Sequence, residues 1–98
     1  MDIKVVKIES ANRNRALAAV QFEISSDGEA ILISHAHVLR NRQGERWVAM
    51  PSYSVQLGGG RYEYFPAVTF SLKLKRAVED VILPAFDAWQ IQQAGGTR

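Results

Sequence analysis

An α+β fold is predicted, a largely antiparallel sheet of about five strands with one C-terminal helix packed on a single face. In the first part of the chain apolar residues alternate with a period of two, as in Val20, Phe22 and Ile24. An Asp27-Gly28 pair joins two such runs in the manner of a tight hairpin turn. From Ser71 the period changes to three and four residues, the spacing of an amphipathic helix.

Residues 3–9 form the first strand, with Ile3 and Val5 on one parity and Val6 and Ile8 on the other, a shift that predicts a bulge. Asn12-Arg13-Asn14 supplies a turn. The second strand carries Leu17, Ala19, Val20, Phe22 and Ile24, and Ser25-Ser26-Asp27-Gly28 closes it. The third strand runs from Glu29 to Arg40 and opens on the continuous apolar run Ala30-Ile31-Leu32-Ile33, which predicts burial on both faces and a central position.

After a turn at Asn41-Arg42-Gln43-Gly44, the fourth strand covers Arg46 to Met50 and stops at Pro51, which has no amide to donate to a ladder. Tyr53 to Gly60 reads as a loop ending in three glycines, and Arg61 to Phe65 as a fifth strand. The helix presents Leu74, Val78, Val81, Ile82, Ala85 and Trp89 as its apolar stripe. Pro84 is expected to kink it or break it in two, because it removes an amide and crowds the Asp80 carbonyl. A single domain over residues 1–91 is expected, with a frayed tail over 92–98.

At 98 residues and 47% hydrophobic content the chain supports one core, and a domain this small has modest stability to spare. It contains no cysteine, which excludes disulfides and thiolate metal sites and suits a cytoplasmic setting. Its alternating N-terminus lacks the pattern of a signal peptide, and no apolar run approaches the about 20 residues needed to span a bilayer. Twelve basic and ten acidic residues leave a net charge of +2, so any contact with nucleic acid must rest on a local patch.

Arg40, Arg42 and Arg46 cluster around one turn with Glu45 as the opposing charge, an arrangement suited to phosphates or simply to a solvated turn. Lys73, Lys75 and Arg76 occupy the first turns of the helix, where the macrodipole disfavours cations. Pairs of Lys75 with Glu79 and Arg76 with Asp80 are the ordinary alternative. Tyr53, Tyr62 and Tyr64 offer stacking surfaces for unpaired bases, or are aromatic residues of a strand and its loop with no such role.

His35 and His37 lie two apart on a strand and share a face, but no further histidine or cysteine is present to complete a metal site, so two partly exposed histidines are expected. Gly58-Gly59-Gly60 lacks the lysine and serine or threonine of a phosphate-binding loop. Ser34, Ser52 and Ser54 show no nucleophile-elbow context. No enzymatic activity and no cofactor are expected.

The stretch Arg46-Trp47-Val48-Ala49-Met50-Pro51-Ser52, with the Asn41-Arg42-Gln43-Gly44 turn before it and Phe65-Pro66 and the closing helix after it, resembles the stage V sporulation protein G family of septation regulators. The likeness spans residues 1–90. It implies a homodimer that binds DNA or RNA and influences septum placement, cell division, sporulation and gene expression. Family members commonly carry a lysine-arginine pair after this motif, where Tyr53-Ser54 stands here; Arg61 is the nearest replacement. The alternative is a protein-interaction module of the division or envelope machinery, with its surface around Tyr53, Tyr62 and Tyr64.

Overall fold

A computed structural model describes residues 1–11 and 16–96. The expected turn at Asn12-Arg13-Asn14 lies outside the described residues. Strands β1 (Asp2–Ser10), β2 (Ala16–Ser26), β3 (Glu29–Arg40) and β4 (Arg46–Ala49) form one antiparallel sheet in that spatial order. Strands β5 (Ser52–Gln56) and β6 (Tyr62–Pro66) form a second, two-stranded sheet, and helix α1 (Leu72–Gly96) ends the chain.

The α+β class is therefore as expected, but the single five-stranded sheet is not. Pro51 cannot continue the ladder between β3 and β4, and the chain beyond it turns away to pair with β6. The expected loop over Tyr53 to Gly60 contains β5, followed by a short turn at Gly58–Gly60.

The local signals in the first two strands are realised. Asp27 and Gly28 both have positive φ, 53° and 80°, the backbone that a two-residue turn between right-twisted strands requires. The parity change in β1 becomes a register shift between Val5 and Lys7, leaving Val6 exposed.

Strand β3 does lie between β2 and β4, yet its apolar start is not buried on both faces, since Ile31 and Leu32 are exposed and Ile33 is buried. The reason is length: β4 pairs with residues 37–40 of β3 and stops.

The core joins Ala18, Val20 and Phe22 of β2, Ile33, Ala36 and Val38 of β3, Val48 of β4, and Val78, Ile82 and Phe86 of α1. On the helix the buried line is thus Val78, Ile82, Phe86, with Ala85 at its margin. Fully burying each of the larger side chains is worth about 1.5–3 kcal/mol.

Helix α1 is continuous through Pro84 rather than broken in two, and it is described as far as Gly96. Pro84 and Asp80 are both exposed, so the carbonyl deprived of its bond faces water while Ile82 and Phe86 hold the buried side. Ser71 caps the start, its Oγ accepting the Leu74 amide at 3.2 Å. Phe70 packs edge-on against Phe22 with centroids 6.5 Å apart, which fixes where the chain returns from β6 to the helix.

Candidate nucleic-acid interface

The turn between β3 and β4 is built by Asn41. Its Oδ1 accepts the amides of Gln43 at 3.0 Å and Glu45 at 2.9 Å, and its Nδ2 donates to Glu45 Oε1 at 3.0 Å. Glu45, the expected counter-charge of the arginines, is thereby held by an amide. Arg40 and Arg42 stand exposed on this turn, and neither forms an ion pair among the described residues.

Arg46 behaves differently from its two neighbours. Its guanidinium binds Asp87 of α1 through both nitrogens, Nη2 lying 3.2 Å from Oδ2, and sits 5.7 Å from the centroid of the Phe86 ring. Arg46 is a clamp between β4 and the helix, and the sequence gives no local sign of it because its partner is 41 residues away.

A second clamp lies at Glu79, whose Oε2 accepts the Val48 amide at 3.0 Å. The intrahelical pairs of Lys75 with Glu79 and Arg76 with Asp80 are not formed among the described residues. An outward amide of β4 has no neighbouring strand to bond to, and the Glu79 carboxylate satisfies it instead. Lys73 and Arg76 are exposed, and Lys75 is half-buried in a groove shared with Trp47, Tyr64, Phe65 and Phe70.

Strands β5 and β6 make a projecting arm. Leu57 N to Arg61 O at 2.7 Å closes its tip, and Ala67 N to Pro51 O at 2.9 Å closes its base. Every residue of both strands is exposed. Tyr53 stacks on Phe65 with centroids 5.6 Å apart, while Tyr62 and Tyr64, on the opposite face, are 58% and 72% exposed. Arg61 stands at the tip, and Lys75 of the helix start lines a groove at the base with Ser52, Phe65 and Pro66.

No protein-family model, curated protein or solved structure matches this chain.

The expected residues therefore fall into two groups. The turn carrying Arg40 and Arg42 lies toward the Asp87 level of α1, and Lys73, Lys75 and Arg76 lie at its start, a separation of about 18 Å along the axis at ~1.5 Å per residue. His35 has a positive φ of 64° at the bulge where Val20 pairs with Ala36 and Phe22 with Ile33, and it and His37 border one hollow beside Ser52, Tyr53 and Tyr64. No group of three or more potential metal ligands converges among the described residues.

Proposed function

We propose that the protein is a homodimeric nucleic-acid-binding regulator without enzymatic activity, holding phosphates with Arg40 and Arg42 at one end and with Lys73, Lys75, Arg76 and Arg61 around the arm at the other. Arg46 shapes the surface without contacting the ligand. The observation that carries this reading is the arm: two exposed tyrosines with Arg61 at the tip and Lys75 at the base, the pairing of stacking surface and charge that unpaired nucleic acid calls for. Resemblance to the septation regulators supports the same class of ligand and a link to division and gene expression.

Fluorescence anisotropy of labelled single-stranded RNA tests the reading. The pair Arg40→Ala and Arg42→Ala is expected to weaken binding to all sequences alike and to flatten its salt dependence. Unchanged binding and slope would remove the β3–β4 turn from the mechanism.

A second reading, a protein-interaction module of the division or envelope machinery, is favoured by the apolar residues of the same arm, with Val55 and Leu57 also exposed. It predicts no RNA binding at any salt concentration and a protein complex that persists in high salt and is lost on Tyr64→Ala.

A further inference from the structure

The two long edges of the four-stranded sheet are finished in different ways. Along β1 the exposed side chains include Lys4, Lys7 and Glu9, with Lys7 Nζ 2.7 Å from Glu9 Oε1, and the Val5–Lys7 bulge interrupts the strand. Charges and bulges of this kind discourage pairing with another chain. The opposite edge is covered by β4 for residues 37–40 of β3, and Glu79 occupies a β4 amide.

The first half of β3 has no such protection. Residues 29–36 have β2 on one side and no strand on the other among the described residues. Ala30 to Ile33 carry no charge, and Ile31 and Leu32 are 62% and 53% exposed. Beside them Met1, Ile24 and Ile31, together with Ser25, Ser26 and Glu29, line an open hollow of mixed polarity. A prolonged β4 would have run along this edge, but Pro51 diverts the chain into the arm.

We propose that the edge formed by Glu29 to Ser34 pairs antiparallel with the same edge of a second copy, joining the two sheets into one. This rests on the dimeric half of the function proposed above and assigns its surface. The edge is complementary to itself. In an antiparallel ladder opposed residues share the same hydrogen-bonding class, and that class alternates along a strand, so a two-fold axis must pass through a residue rather than between two.

With the axis at Leu32, Ile31 faces the partner's Ile33, Ala30 faces the partner's Ser34, and Glu29 falls opposite the partner's His35. Moving it to Ile31 would set Glu29 against the partner's Ile33. Ile31 and Ile33 lie on the helix-bearing face, so the pairing extends the existing core from one copy to the next. The base of each arm, level with His35 and His37, then falls beside the partner's turn at Asp27-Gly28.

The chain has no cysteine, so a single introduced thiol reports the axis directly. Opposed Cβ atoms of a ladder lie about 4.5–5.5 Å apart, near the reach of a disulfide. Under mild oxidation Leu32→Cys is expected to form a covalent dimer at least about tenfold faster than Lys4→Cys on the β1 edge. By sedimentation the unmodified chain is expected to be a dimer, and Ile31→Lys to weaken it by at least about tenfold with an unchanged circular dichroism spectrum.

A dimer that survives Ile31→Lys, with equal oxidation rates for the two thiols, would overturn this interface while leaving a dimer elsewhere. A monomeric unmodified chain would overturn the interface and the dimeric reading together. RNA anisotropy on the same samples keeps the functional reading separate, since its loss in an edge-paired dimer contradicts that reading alone.

Discussion

The sheet with its helix and the projecting arm are built on opposite terms. In the first, Phe22, Val38, Val48, Ile82 and Phe86 are buried to 1% exposure or less, and the Arg46–Asp87 and Glu79–Val48 contacts tie β4 to the helix. In the arm every strand residue is exposed, and its aromatic contact is the internal stack of Tyr53 on Phe65. A lone two-stranded hairpin is marginal in water. Stability is thus concentrated in one region, and the side chains of the other are left available for contact.

That division makes its strongest claim at Phe86. Phe86→Ala is expected to cost about 3–5 kcal/mol in denaturant unfolding, whereas Tyr64→Ala should change stability by no more than about 0.5 kcal/mol. Comparable losses at the two positions would break the comparison.

The reverse is expected of binding. Tyr64→Ala should weaken single-stranded RNA by about 1–3 kcal/mol per lost stack, read as a rise in Kd with no shift in the unfolding midpoint. A rise matched by Val6→Ala, on β1 and far from the arm, would argue against stacking.

Within the basic turn the comparison narrows to neighbouring arginines. Arg46→Ala should lower stability by about 1 kcal/mol, a figure kept small because both partners are partly exposed. The smallest effect belongs to Arg42→Ala, within about 0.5 kcal/mol in stability, with its consequence confined to the salt dependence of binding. Equal stability losses for the two would deny Arg46 its role as a clamp.

What was legible in the sequence was local. Asp27-Gly28 announced its turn because both residues tolerate positive φ, and the parity change at Val5-Val6 announced the bulge because alternation fixes which side chains face the core. The alternation Ser52-Tyr53-Ser54-Val55-Gln56 was present too, but Pro51 before it and the glycines after it favoured a loop. Periodicity alone favours Ala85 in the helix stripe where Phe86 is buried, since the two are adjacent and packing decides between them.

Nonlocal contacts left no such mark. Sequence proximity groups Arg46 with Arg40 and Arg42, whereas Asp87 claims it from across the fold. Lys75 lost its expected partner because an edge amide at Val48 competes for Glu79. The exposed apolar start of β3 has the composition of a central, buried strand; the missing neighbour is a property of where β4 ends.

The most direct test of the functional account is a salt series of anisotropy titrations with the unmodified protein, using labelled single-stranded RNA and random duplex DNA as probes. If about three or four phosphates are neutralised per dimer, log affinity should fall against log salt with a slope of about −3 for the duplex and about −2.5 for the single strand, and the stronger probe identifies the ligand class. No binding of either probe at low salt would contradict the account and leave the arm as a surface for protein partners.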